Sequence, residues 1–240
     1  MNQRILPEKY RFLSGSALKV VAVVTMLIDH TASVLLSNQS IILFTIAGHS
    51  LTLYTLMRAI GRVAFPLYAF LITEGFGHTR SRLRYGVNLG VFALLSEIPW
   101  NLEHTGKLFH IASQNVFFTL FLGFLGLCAI ERYKERIVPL AASLLALFAA
   151  ATVLKCDYGS NGFCFILFLY ALREHELVRA VIGSGILSAR WKAGLAFIPI
   201  ALYNGKRGFI QGPVLKYAFY LIYPVHMLIL YALKHRLIGY

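Results

Sequence analysis

Charge is scarce in this chain of 240 residues, and negative charge scarcer still. Asp, Glu, Lys and Arg make up 14%, against roughly 25% in an ordinary soluble domain. Ten residues are acidic against 23 Lys and Arg, a formal net charge of +13. Disorder is excluded, because a disordered chain needs low hydrophobicity and dense charge. A nucleic-acid module gathers its bases into one patch or stripe; here they come in small groups between apolar runs, so no nucleic-acid partner is expected. Cysteine is equally thin. Cys128 and Cys164 sit in apolar runs and Cys156 sits beside Asp157, which supplies neither a metal-ligand spacing nor a disulfide framework. There is no internal repeat, no low-complexity segment, no G-x-S-x-G, no Walker loop, no zinc pattern and no dinucleotide fingerprint.

What the chain has is apolar length. Hydrophobic residues are 58% of it and mean hydropathy is +0.67. A bilayer-spanning helix needs about 20 mostly apolar residues, so the pattern predicts an all-α polytopic membrane protein. We expect a single domain over 1–240, a bundle of about eight or nine spans in contact with lipid. Spans are predicted near 17–37, 56–76, 85–102, 114–131, 137–154, 159–172 and 214–233, with two short segments, 177–188 and 191–203, where Arg190, Trp191 and Lys192 interrupt the run. Pro66 and Pro99 are compatible with spans, because membrane helices tolerate proline. The stretch 41–54 is too short to span and is expected as an interfacial helix or re-entrant piece. The first run resembles a signal peptide, yet it continues to about Leu36 without a small-residue cleavage pattern, so it reads as a retained span.

Lys and Arg alternate between the spans. Residues 1–16 carry Arg4, Lys9 and Arg11; 38–55 carry none; 77–84 carry Arg80, Arg82 and Arg84; 103–113 carry only Lys107; 132–136 carry Arg132, Lys134 and Arg136; 155–158 carry only Lys155; 173–179 carry Arg173 and Arg179. By the positive-inside rule the N-terminus and the turns near 80, 134 and 175 are cytoplasmic.

An ionisable group inside a bilayer costs a few kcal/mol on insertion scales and by default marks a functional site. The list is short: Asp29 and His30, Arg58, Arg62 and Glu74, Glu97, and His226. At about 1.5 Å per residue, Asp29 and His30 lie roughly 20 Å into the first span. Glu97 reaches a similar height in the third, Arg62 lies two turns into the second, and Asn115 starts the fourth. These groups are expected to converge in the outer half. Asp29 and His30 point about 100° apart on a helix, so Asp29 does not orient His30; it is expected to pair with Arg58 or Arg62. A neutral imidazole accepts a proton near neutral pH, and an arginine stabilises an oxyanion or holds an anionic group. Each residue also has a plainer use: a structural intramembrane pair for Asp29, local capping for Glu97, bundle hydrogen bonds for His226.

Several segments carry a family likeness: LKVVAVVTMLIDH (18–30), IGRVAFPLYAFLITEGFGHTR (60–80), RLRYGVNLGVFALLSEIPWNL (82–102), QNVFFTLFLGFLGL (114–127), DYGSNGF (157–163), YNGKRG (203–208) and KYAFYLIYPVHMLIL (216–230). In order and over nearly the whole chain, the sequence resembles the TraX family, whose named activity is acetylation of the N-terminus of F-type conjugative pilin. That family is similar in turn to integral-membrane acyltransferases that use acyl-CoA. The resemblance implies that His30 is the catalytic base and that Arg62, in GRVAFP, takes the arginine role. It implies a site for CoA phosphates at His78, Thr79 and Arg80, assisted by Arg82 and Arg84. Asp29 and Glu97 complete the expected catalytic group, with acetyl-CoA as donor and no metal. The expected function is transfer of acetyl from cytoplasmic acetyl-CoA to an amine or hydroxyl at the outer side, on a pilin N-terminus or an envelope glycan. Two other classes stay open: a non-enzymatic pilus or envelope assembly scaffold, and a proton-coupled carrier.

Overall fold

The first apolar run is capped as its sequence dictates. Ser14 Oγ accepts from the Ala17 N–H at 3.2 Å, and helix α1 (Gly15–Leu35) follows in the computed structural model, which describes residues 5–37, 41–46, 49–186 and 188–238. Arg4 of the N-terminal basic group lies outside the described residues. Next come β1 (Ile42–Ile46) and β2 (His49–Thr52), paired antiparallel. The expected helical or re-entrant piece at 41–54 is therefore a hairpin. The run ILFTI is β-branched and aromatic, a composition suited to a pleated strand, and Thr45 and Ser50 hydroxyls meet across the pair at 2.9 Å.

The helices that follow are α2 (Leu53–Gly61), α3 (Ala64–His78), α4 (Arg82–Leu95), α5 (Glu97–Thr105), α6 (Val116–Tyr133), α7 (Ile137–Val153), α8 (Gly159–Ala171), α9 (Glu176–Ile186), α10 (Phe197–Ala201) and α11 (Gly212–Ile238). Thr52 and Thr55 form a reciprocal capping box at the start of α2, each hydroxyl taking the other residue's N–H at 3.1 Å. The interruption expected inside 177–203 is present, as a 3₁₀ segment (Ser188–Ala196) between α9 and α10.

Two expected spans are interrupted, the first of them without losing the length and hydropathy of a membrane span over Leu53–His78. α2 and α3 part at Arg62–Val63, and α4 and α5 part at Ser96. In each case a proline is the third residue of the restarting helix: Pro66 in α3 and Pro99 in α5. Proline has no N–H for the carbonyl four residues back. The first turn of a helix is where a missing N–H goes unnoticed, so each helix restarts just ahead of its proline.

The chain forms two compact units: Tyr68–Ile186 with the N-terminal residues up to Ile5, and Leu6–Leu67 with Leu187–Tyr240. In the first, α6 packs against α4, α7 and α8. Phe76, Leu89, Phe124, Leu127, Phe163, Ile166 and Leu169 are fully buried there, with Phe76 edge-on to both Phe124 and Tyr170 at 5.5 Å. Arg179, counted among the cytoplasmic bases, is buried in α9 with its guanidinium 5.2 Å from the Phe70 ring centre.

In the second unit α1 packs against α2 and α11, burying Leu18, Ala22, Met26, Tyr223, Met227 and Leu230. The YNGKRG segment closes over the start of α1. The carbonyls of Lys206 and Arg207 accept from the N–H groups of Gly15 and Ser16 at 2.8 and 2.9 Å. Ser16 Oγ donates to the Arg207 carbonyl and accepts from the Ile210 N–H. Backbone donors that every helix start leaves unsatisfied are thus met by a loop from the far end of the chain. Gly208 turns that loop at φ 87°, and a Cβ there would run into Ser14 and Ser16.

Among the described residues four helical stretches are long and apolar enough to cross a membrane: Gly15–Leu35, Leu53–His78, Val116–Tyr133 and Gly212–Leu237. α7, α8 and the stretch Lys192–Ala201 are shorter apolar helices. Their outward faces are apolar as well: α1 exposes Val20 and Val24, and α11 exposes Leu221, Val225, Leu228 and Ile229. A helix apolar all round is one that meets core on one side and lipid on the other. The chain is a helical, multi-pass membrane protein.

Candidate functional site

α1 and α11 run parallel. Their N-terminal ends meet at Gly15–Ser16 and Lys206–Ile210. From there His30 is 15 residues beyond Gly15 and His226 is 14 beyond Gly212, so at about 1.5 Å per residue both lie roughly 20 Å along. There the two imidazoles meet, His30 Nδ1 to His226 Nε2 at 2.6 Å, with ring planes 13° apart. Tyr223, one turn before His226, packs edge-on to His30 at 6.0 Å between ring centres. His226 and Tyr223 are both buried.

The second nitrogen of His226 settles the tautomers. Its Nδ1 lies 2.8 Å from the Ile222 carbonyl. A carbonyl only accepts, so Nδ1 carries the hydrogen and donates. The Nε2 of a neutral His226 is then an acceptor, and His30 Nδ1 must donate to it. With its hydrogen on Nδ1, His30 carries its basic lone pair on Nε2. A chain of two donations runs from His30 through His226 to the α11 backbone, and its outcome is one orientation and one tautomer for His30.

Asp29, adjacent in sequence, faces elsewhere, as the helical period requires. Its Oδ2 accepts from Arg58 Nη1 at 2.6 Å, and the same guanidinium nitrogen lies 3.4 Å from the Asp29 carbonyl. Both side chains are largely buried, 14% exposed for Asp29 and 22% for Arg58. A charge-assisted bond of this kind contributes on the order of 1.5–3 kcal/mol. Gly61 makes the approach possible: a Cβ on it would collide with the Asp29 side chain. Of the two expected partners it is Arg58 that holds Asp29. Arg62, one turn on, closes α2, its N–H bonded to the Arg58 carbonyl at 3.3 Å. Arg58 and Arg62 line one cavity of about 230 Å³ together with Tyr54, Thr55, Ala59 and Lys192.

Glu97 belongs to the other unit and serves the start of α6. Its Oε1 accepts from the Asn115 backbone N–H at 3.1 Å and from Asn115 Nδ2. The same Nδ2 donates to the Ala93 carbonyl at 2.8 Å, and Asn115 Oδ1 caps the helix by accepting from the Phe117 N–H at 3.0 Å. These bonds make a buried cap held from α4 and α5, the local use named for Glu97.

The expected phosphate-binding group lies at the α3–α4 turn. His78, Arg80, Arg82 and Arg84 are exposed and Thr79 half-buried. His78 Nδ1 turns back to the Glu74 carbonyl at 2.9 Å, and Ser81 caps α4 through the Arg84 N–H. Arg82 lies over the Phe76 ring and 3.9 Å from Glu131, which accepts from the Tyr170 hydroxyl at 2.6 Å. Arg173 covers the Tyr170 ring. Cations backed by aromatic rings at an exposed turn suit the binding of phosphates. Among the described residues no three His, Cys, Asp or Glu side chains are grouped so as to hold a metal ion.

A model of the TraX protein family matches residues 14–234. The chain belongs to the TraX family. It is also 30% identical, over 249 residues, to the probable fimbrial assembly protein FimC, serogroup H1, of Dichelobacter nodosus, a match spanning 92% of this chain and 96% of that protein. No solved structure matches it. The TraX-like segments fall on the features just described. LKVVAVVTMLIDH is α1 with its Asp29–His30 pair, GRVAFP is the α2–α3 break, YNGKRG is the cap on α1, and YPVH places Tyr223 and His226. Sequence reasoning placed His226 among the intramembrane ionisable groups and named no partner for it. The signal for one was there, a histidine inside an apolar run, which must be hydrogen-bonded to be buried. The pairing itself joins residues 196 apart and has no local signature.

Proposed function

We propose that this TraX-family protein is a membrane-embedded acetyltransferase, and that it serves pilus assembly or pilin modification by moving acetyl from acetyl-CoA to an amine or hydroxyl. The observation that carries the reading is the His30–His226 relay. An imidazole held in one tautomer at depth in a helical bundle, with its basic nitrogen set by a second histidine, is an arrangement suited to a general base.

In this reading His30 Nε2 takes the proton of the acceptor N–H or O–H as that atom attacks the thioester carbonyl. The carbonyl π electrons move onto oxygen, where a cation such as Arg62 stabilises the charge. The C–O double bond then re-forms, the C–S bond breaks, and His30 returns its proton to the departing thiolate. The acetylated acceptor and the free thiol of CoA result. Asp29 acts at a distance from this chemistry, holding Arg58 and thereby the α2 register that presents Arg62. Glu97 holds the α6 cap. Exposed His78, Thr79, Arg80, Arg82 and Arg84 bind the donor's phosphates.

The finer topology is part of the proposal. The parallel course of α1 and α11 requires an odd number of spans from the first to the last, which supports nine of the two expected counts. The alternation of basic turns supports a cytoplasmic N-terminus, and with nine spans the C-terminus is outside. The acceptor, a pilin N-terminus or an envelope glycan, is then met at the outer side.

The test is transfer of labelled acetyl from acetyl-CoA by the purified protein. His30→Ala should lose about 10²–10⁴-fold, the usual contribution of a general base. His226→Ala should lose less, and His226→Gln, which offers an acceptor oxygen to His30 Nδ1, should recover part of that loss. Full activity in His30→Ala sinks the assignment. A second reading, an assembly factor without turnover, is favoured by the fimbrial assembly name of the Dichelobacter nodosus relative; it predicts co-purification with a pilin partner that His30→Ala leaves intact.

A further inference from the structure

The cavity beside the Asp29–Arg58 pair is lined by Tyr54, Thr55, Arg58, Ala59, Arg62 and Lys192. Three of these six are cations and none is an acid. Like charges gathered on one cavity repel, and an anion removes that repulsion. The unit that contains it has little means of doing so internally. It holds twelve of the 23 Lys and Arg but only two of the ten acids, Glu8 and Asp29. Glu8 lies before the start of α1, on the order of 20 Å along the helix from Asp29. Asp29 already bonds Arg58 at 2.6 Å. Counting it, the formal charge at the cavity is +3 − 1, or +2.

We propose that this cavity binds a phosphoryl group of the substrate. Charge selects it: a site of formal charge +2 is matched by a dianion and left half-compensated by a carboxylate. Donor geometry agrees. Arginine presents a planar fork of N–H groups that suits phosphate oxygens, lysine adds a compact point charge, and the Tyr54 hydroxyl is a further donor. Size agrees too. About 230 Å³ is below the roughly 300–1,000 Å³ of a site that encloses a drug-sized ligand, so the cavity takes a group and leaves the rest of the molecule outside. The site is distinct in chain and residues from the arginines of the α3–α4 turn. It goes beyond acetyl transfer by naming a charged group that a substrate carries, and it rests on that reading only for the word substrate.

The test reads binding without turnover, so its failure and the failure of acetyl transfer are separate results. Full-length protein in neutral detergent is titrated with inorganic phosphate at constant ionic strength against chloride, following thermal unfolding. A parallel arm places it in phosphatidylcholine nanodiscs with and without phosphatidic acid. Wild type should show a saturable rise in Tm. Lys192→Gln and Arg62→Gln should each weaken the apparent affinity about ten-fold or more, the loss of one charge-assisted bond. Lys192→Arg should stay within a few-fold of wild type. A response to phosphate alone assigns a soluble phosphate-bearing substrate, and a response to phosphatidic acid alone assigns a lipid headgroup; either supports the site. No response in either arm overturns it, and so does an unchanged response in Lys192→Gln, whose half-buried position on a 3₁₀ segment makes it the gentler of the two losses.

Discussion

Gly61→Ala tests whether the approach of α1 and α2 is what holds the Asp29–Arg58 pair. In an ordinary exposed helix the change is favourable, by up to about 1 kcal/mol, because alanine is the better helix former. Here the new methyl would occupy space held by the Asp29 Cβ, carboxyl carbon and Oδ1. Asp29 is anchored to Arg58, so it cannot swing clear without giving up that bond. Overpacking costs about 1–3 kcal/mol, and loss of the charge-assisted bond about 1.5–3 kcal/mol more. After the propensity gain the expected net loss is about 1.5–5 kcal/mol. At roughly 2–4 °C per kcal/mol for a chain near this size, Tm in detergent should fall by about 3–20 °C. Gly77→Ala is the internal control, since a Cβ on Gly77 meets nothing within 4 Å, and it should be neutral or slightly stabilising. Equal stability of the two variants would refute the close approach. A second readout is available: Gly61→Ala combined with Asp29→Ala should recover the overpacking part, because the smaller side chain vacates the space.

Two further predictions concern the unit built around α6. Asn115→Ala removes an N-cap and leaves Glu97 without its two donors; caps contribute about 0.5–2 kcal/mol and a buried acceptor left unmet about 1–3 kcal/mol more. Hydrogen exchange at the first turn of α6 should accelerate more than in the rest of that helix, and uniform protection would refute the cap. Burial pushes the Cys156 thiol up to about 11, above the ordinary value of about 8.5. A raised thiol pKa favours the neutral form, so at pH 9 only about 1% is thiolate, against about three-quarters of an ordinary cysteine. In a chain with Cys128→Ala and Cys164→Ala, maleimide labelling should stay slow through pH 9 and become fast once the protein is denatured. Rapid labelling of the folded protein at pH 8 would count against the burial.

Composition and periodicity decided the class of this protein. Mean hydropathy, the spacing of apolar runs and the scarcity of acids left a helical membrane bundle as the solution, because lipid demands that backbone groups be satisfied within the segment. The same scarcity reduced the chemistry to a handful of residues, and the helical period by itself turned Asp29 and His30 to different faces of α1. These are local properties, carried by neighbours in sequence. The hairpin at 42–52 escaped because a fourteen-residue apolar stretch does not distinguish strand from helix by period alone, and the breaks before Pro66 and Pro99 because tolerance of proline in a span does not say whether the helix restarts.

Tertiary structure decided the partners. Asp29 chose Arg58 over Arg62 because Gly61 lets the helices close at that level. Glu97, placed in the candidate site by depth and helical period, holds the Asn115 cap of α6. His226 found His30 because the Lys206–Ile210 loop ties the starts of α1 and α11 together, which sets two helices far apart in the chain parallel and in register. A histidine's tautomer is fixed by what its other nitrogen meets, and for His30 that is a residue 196 positions away, beyond the reach of any pattern read along the chain.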